Sequence, residues 1–201
     1  MGMRGCGGQG RMARSADQWQ AGAMTILRTP RLTLRPPRMA DLDAFHAMLS
    51  DARVMRFWAT LPHTRLEQSR DWLTAMITVP PEDGIDWVVE HEGRAIGKAG
   101  LWRYPWIGFL FHPDVWGRGF ASEAVAAVID DGFARRGLAA IDADVDPRNV
   151  ASLRLLGKLG FVETGRAQRT LRLGEEWCDS VYLRRSAFPA PDSGRGGEST
   201  G

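Results

Sequence analysis

His112-Pro113-Asp114-Val115-Trp116-Gly117-Arg118-Gly119-Phe120-Ala121-Ser122-Glu123-Ala124 follows a short apolar run, Ile107 to Phe111. It precedes a segment in which Ala124, Val125, Val128, Ile129, Gly132 and Phe133 recur at helical spacing. The stretch therefore reads as a turn from a strand into a helix. Gly117, Gly119 and Ala121 leave its backbone uncovered, so successive N–H groups can converge on an anion, and the helix N-terminus adds partial positive charge; the combination suits a pyrophosphate. The Lys and Ser/Thr of a P-loop are missing, and Ser122 stands where a dinucleotide fingerprint has its third glycine. A tight turn without a ligand would use the same glycines, so the loop alone leaves both readings open.

Downstream, the helix ends at Gly137, and Ile141 to Val145 reads as a strand. Asn149 caps a short helix carrying Val150, Leu153, Leu156 and Leu159, closed by Gly160. Phe161 to Leu171 and Glu176 to Leu183 form two last strands around Gly174. Upstream, Leu32 and Leu34 alternate with polar residues in a first strand. A helix from Asp41 buries Leu42, Phe45, Met48 and Leu49, with His46 on its wetter side. Thr64 and Glu67 predict a capping box for a second helix. Trp87 to Glu90 and Ala95 to Trp102 predict a hairpin across His91-Glu92-Gly93-Arg94. The order β-α-α-β-β-β-α-β-α-β-β contains about seven strands and four helices, an α/β (α+β) fold with a mixed sheet covered by helices.

At 201 residues, 44% of them hydrophobic and 25% charged, the chain suits one domain. No apolar run approaches the ~18 residues of a membrane span. A net charge of +2 does not demand nucleic acid. Only Lys98 and Lys158 are lysines among 26 basic residues, which reads as a composition bias. Cys6 and Cys178 have neither disulfide nor metal-ligand spacing, so a reducing, cytoplasmic setting without metal is expected. The composition of residues 1–23 predicts a disordered extension, with Met12 and Met24 as alternative starts, and residues 188–201 a disordered tail; residues 24–187 form the expected domain.

Three segments in order resemble the GNAT N-acetyltransferase superfamily, in its RimJ/RimL-like branch. They are Leu27-Arg28-Thr29-Pro30-Arg31-Leu32-Thr33-Leu34-Arg35, the Trp116 to Ala121 loop with Ser122-Glu123-Ala124, and Asn149-Val150-Ala151-Ser152 followed by Gly157-Lys158-Leu159-Gly160-Phe161. The resemblance implies a mostly antiparallel sheet splayed between the fourth and fifth strands to admit acetyl-CoA. It places Phe109, Leu110 and Phe111 beside the pantetheine arm, and Trp116, Gly117, Arg118, Gly119, Phe120 and Ala121 on the phosphates. Asn149 and Ser152 fall near the thioester. Ser152 matches a position that protonates the leaving thiolate; a hydroxyl merely bonded to the helix or cofactor is the alternative.

Acetyl transfer needs a neutral amine, whereas a lysine amine titrates near ~10.4 and an α-amine near ~7.7–8. Many relatives carry a Glu where this chain has Trp106, so the base must come from elsewhere. Asp179 matches an acidic position common in the last strand of the branch; a carboxylate bonding the neighbouring strand is its alternative. Trp58, Trp102, Tyr104 and Trp106 suggest an aromatic acceptor wall, and His63 is placed at its border or on the surface. His112 reads equally as a strand-end surface residue. Arg118 and Lys158 are candidates for CoA phosphates, and Cys178 for an acyl-enzyme nucleophile, against which the family's direct transfer speaks. The expected activity is acetyl-CoA-dependent N-acetylation of a small amine or a protein N-terminus, without nucleic acid or membrane partners; a homodimer remains open. A non-catalytic acyl-CoA-binding or sensor module is the alternative, and a nucleotide-phosphate-binding protein a third.

Overall fold

The structure, a computed structural model, describes residues 25–187. The expected terminal extensions, with Cys6, Met12 and Met24, lie outside the described residues.

An eight-stranded sheet runs in the order β1-β2-β3-β4-β5-β6-β8-β7. The strands are β1 (Leu27–Arg28), β2 (Thr33–Arg35), β3 (Ile85–His91), β4 (Arg94–Arg103), β5 (Trp106–Phe111), β6 (Ala140–Val145), β7 (Val162–Leu173) and β8 (Glu176–Ser186). The helices are α1 (Leu42–Leu49), α2 (Ala52–Met55), α3 (Leu66–Thr78), α4 (Phe120–Ala134) and α5 (Val150–Lys158). Every strand pair is antiparallel except β5 with β6, which touch in parallel at one registered pair, Trp106 with Asp142. Beyond it the two strands diverge, the splay that the resemblance implies between the fourth and fifth expected strands.

Three details correct the sequence reading. The first expected strand is two, because the Thr29–Leu32 turn folds the chain back; the Thr29 amide donates to Leu32 O at 3.0 Å, and Leu27 then pairs with Leu34. This raises about seven strands to eight. A fifth helix, α2, forms where the Asp51 carboxylate caps the Arg53 amide at 2.8 Å. The start of α3 uses Gln68 rather than Glu67: its Oε1 accepts from the amides of Thr64 at 2.9 Å and Arg65 at 3.0 Å, so the cap sits one residue later.

The β3–β4 hairpin turns on Glu92 and Gly93, both with positive φ, the twist-matched geometry for a two-residue loop. One sheet face packs on α4, whose Ala124, Val125, Val128 and Ile129 meet Trp87, Val89, Leu101 and Ile141. The other packs on α1 to α3, where Phe45, Met48, Leu49 and Leu73 cover Val88 and Leu110. Burying whole side chains of this size stabilises by roughly 1.5–3 kcal/mol each. Two cores thus hold the sheet from both sides while the splay stays open between them. Among the described residues no helix is long and apolar enough to cross a membrane.

Candidate functional site

The turn between β5 and α4 has the geometry an anion cradle requires. The Trp116 indole donates to Phe111 O at 2.9 Å and pins the loop to its strand. Gly117 and Gly119 have φ of +73° and +81°, where other L residues are strained, and a Cβ at 117 would meet nothing within 4 Å. Phe120 then opens the 15-residue α4 with its ring buried, while Arg118 is exposed. The first amides of such a helix have no partner within it, so they point at whatever occupies the cradle.

An unforeseen set of contacts holds this turn. Glu123 Oε1 accepts from Thr29 Oγ1 at 2.6 Å and from the Arg31 amide at 2.9 Å, and Oε2 accepts from Arg31 Nε at 2.6 Å. Arg31 Nη1 also donates to Arg118 O at 3.0 Å, and its guanidinium lies 4.4 Å from the Phe120 ring centroid. The β1–β2 turn is thereby fastened to the cradle. Burial alone would raise the Glu123 pKa, but the donors from Thr29 and Arg31 outweigh it and hold the carboxyl below its ordinary value. Both partners stand in the quoted motifs; their 92-residue separation hid the link.

A cavity of about 550 Å³ occupies the splay. The sequence-predicted Asn149, Ser152, Asp179 and Phe109 all line it. Asn149 Oδ1 accepts from the Ser152 amide at 3.2 Å, which fixes the first turn of α5. Asp179 Oδ1 accepts from the Arg169 amide at 2.9 Å across β7–β8, the strand-bonding alternative, and Oδ2 has no partner among the described residues. Leu110 and Phe111 point away: alternation along β5 buries Leu110 in the α1–α3 core and Phe111 in the α4 core, so only their backbone can run along the splay.

Trp58, Trp102 and Trp106 join the wall, but Tyr104 packs against the α4 core with its hydroxyl buried and unpartnered among the described residues. Neither expected placing of His63 holds, because it is buried in the α1–α3 seam. Its Nδ1 lies 2.9 Å from Ser69 Oγ, the hydroxyl that His46 Nδ1 approaches at 2.8 Å, and burial, with His46 nearby, lowers its pKa. His46 is accordingly part of a side-chain chain rather than simply a surface residue. His112 accepts from the Asp114 amide at 3.3 Å beyond the end of β5, and Lys158 is exposed at the end of α5. Cys178 is buried in the cavity wall 3.6 Å from Arg148 Nη2.

The sequence reading missed the charged pair in the opposite wall. Lys98 is 2% exposed, and its Nζ donates to Asp86 Oδ1 at 2.7 Å. Asp86 on β3, Gly100 on β4 and Gly108 on β5 are cross-strand partners in one row. A Cβ on Gly100 would stand 2.2 Å from Asp86 Oδ1, so glycine is required for the carboxylate to lie over the sheet. Burial raises the Asp86 pKa against the opposing charge and hydrogen bond of Lys98. One signal was available: one of only two lysines stands inside an apolar strand.

The family model described as "Acetyltransferase (GNAT) domain" matches residues 31–162. The uncharacterized N-acetyltransferase p20 of Bacillus licheniformis is 33% identical over 151 residues, covering 71% of this chain and 85% of that protein. The spermidine N(1)-acetyltransferase of Escherichia coli (strain K12) is 25% identical over 156 residues, covering 75% of this chain and 83% of its own. Among solved structures, Mycobacterium smegmatis RimJ in complex with CoA-disulfide superposes with a TM-score of 0.72 at 23% identity, over 81% of this chain and 86% of that one. The last likeness bears on the fold.

Proposed function

The chain belongs to the GNAT acetyltransferase family and is an acyltransferase, and from that premise we propose that it moves an acetyl group from acetyl-CoA directly to a primary amine. The observation that carries this reading is continuity: the open turn at the N-terminus of α4 and the cavity holding Asn149 and Ser152 meet the same splayed strand, β5. The residues fit the donor. Gly117 leaves the cradle without side-chain bulk, and the start of α4 offers amides to a pyrophosphate. Trp116, Gly117, Arg118, Gly119, Phe120 and Ala121 would hold the phosphates, and the β5 backbone from Phe109 to Phe111 would hold the pantetheine arm. When bound, acetyl-CoA supplies the activated acyl group.

Asp179 Oδ2 is assigned to accept a proton from the incoming ammonium, which makes the amine a nucleophile. A β5 backbone N–H donates to the carbonyl oxygen as negative charge grows on it. As the C–N bond forms and the C–S bond breaks, Ser152 Oγ delivers its proton to the departing sulfur and regains one from the nitrogen, and Asn149 keeps Ser152 in place through the cap of α5. Trp106 in place of an acid and the Arg169 hydrogen bond on Asp179 favour one second reading, an acyl-CoA sensor without turnover. Thiol release from acetyl-CoA across a panel of amines and peptides tests both. Turnover with at least one acceptor supports transfer, whereas tight acetyl-CoA binding with no thiol released by any acceptor supports the sensor.

A further inference from the structure

The two walls of the cavity differ in charge. On the β6–β8 wall, Asp144 is exposed and Asp179 keeps one oxygen without a partner among the described residues, while Asp146 is committed to Arg148 at 2.6 Å. On the β3–β4 wall, Asp86 is committed to Lys98, whose ammonium makes that single hydrogen bond among the described residues. A lysine ammonium has three donors, so two remain. They are not directed at bulk solvent, since Lys98 is 2% exposed, and the Nζ stands 5.6 Å from the Trp58 ring centroid and 5.9 Å from that of Trp72. Lys98, Gly108 and Trp102 line the cavity together, and the Trp102 indole lies over Gly108, its Cδ1 3.1 Å from where a Cβ would stand. The buried cation therefore borders the cavity, with the Asp86 carboxylate and the Trp102 indole lying over the glycine row beside it.

Resting on the acetyltransferase reading, we propose that the acceptor is an amine that also carries a carboxylate, on an aromatic or aliphatic frame, with its oxygens on Lys98 and its amine toward Asp144 and Asp179. Trp58, Trp72, Trp102 and Trp106 supply the apolar surface between the two ends. Charge decides against a polyamine. Several ammonium groups would need several uncommitted carboxylates, and Lys98 repels any of them that reaches the β3–β4 wall. A zwitterion brings no net charge into the cavity, and its carboxylate satisfies donors that are otherwise buried without an acceptor.

The test measures acetyl-CoA thiol release by the full chain with matched acceptors: phenylalanine against phenethylamine, leucine against 3-methylbutylamine, and phenylalaninamide and spermidine alongside. Rates are compared at equal concentrations of neutral amine. The carboxylate-bearing member of each pair is expected to have a kcat/KM at least tenfold higher, mainly through KM. In the charge-neutral Lys98→Met/Asp86→Asn double variant that ratio falls to about one, whereas a merely structural role would lower both members together and keep it. A ratio of one or less in the parent protein, a faster rate with phenylalaninamide or spermidine, or a ratio unchanged in the double variant overturns the proposal. Quenching of tryptophan fluorescence by N-acetylphenylalanine, set against N-phenethylacetamide, gives the same discrimination without turnover. It decides the matter if the variant does not fold, and it separates failure of the acceptor assignment from failure of the acetyltransferase reading: selective quenching with no thiol release from any amine leaves the first standing and removes the second.

Discussion

At the β5–α4 turn the proposed binding groups are backbone amides, and Gly117 and Gly119 shape them within a few residues of chain. At the cavity they are side chains drawn from β3, β4, β6, α5 and β8, and what joins them is the sheet register. The turn can change its flanking residues and still cradle an anion, provided the φ values and the Arg31–Glu123 fastening persist. The cavity has no such tolerance, because Lys98 and Asp86 are buried charges that depend on each other. On the proposed reading, generic recognition of the donor falls to the backbone and selection of the acceptor to side chains.

Four substitutions probe that division, beginning with the largest effect. Ser152→Ala should lower kcat by roughly 10²–10⁴-fold with acetyl-CoA affinity nearly unchanged, the range for one positioned acid. Isothermal titration beside steady-state kinetics checks it, and a drop below about tenfold would pass the proton delivery to water. Lys98→Met alone should cost about 3–5 kcal/mol of stability in denaturant melts, because it strands the Asp86 carboxylate, and adding Asp86→Asn should recover most of that loss.

Gly119→Glu introduces bulk and negative charge at a φ of +81°, with its Cβ 3.4 Å from Arg31 Nη2. Acetyl-CoA affinity should fall about 100-fold, worth ~2.7 kcal/mol, in calorimetric titration. An unchanged Kd in a folded variant would move donor binding away from the turn. Glu123→Gln is expected to have the smallest effect, about 0.5–1.5 kcal/mol, because glutamine keeps one accepting oxygen and Arg31 is half exposed. Its pH signature has a definite sign. The Glu123 pKa is lower folded than unfolded, so its contribution is fully present above the unfolded value of ~4.3 and fades as pH falls through the folded one. Thermal melts from pH 7 to pH 3 should show the parent losing this part of its stability on acidification and the glutamine variant lacking it.

The same contrast explains what could be read from the chain. Gly117, Gly119 and the periodicity of α4 are local signals, and Asn149 with Ser152 sits within one helical turn, so these positions fall where the sequence places them. The motif selects Leu110 and Phe111 together with Phe109, and strand alternation decides which of the three faces the cavity. Chemical type alone selects Tyr104 and His63, whereas packing buries His63 and turns Tyr104 onto the α4 core. The Lys98–Asp86 pair needed the β3–β4 register, with Asp86 opposite Gly100, which no local pattern contains.

The single β5–β6 contact at Trp106 and Asp142 has a consequence for how the molecule opens. Past that pair each strand keeps hydrogen-bonded neighbours on one side only, so the sheet has two edges in its middle as well as two at its ends. Amides facing the gap from β5 should exchange with deuterated solvent far sooner than those locked between β3 and β4, and the halves should unzip as separate cooperative units joined through α4. A bound donor that spans the gap would slow that exchange on both sides, and so convert two loosely coupled foldons into one.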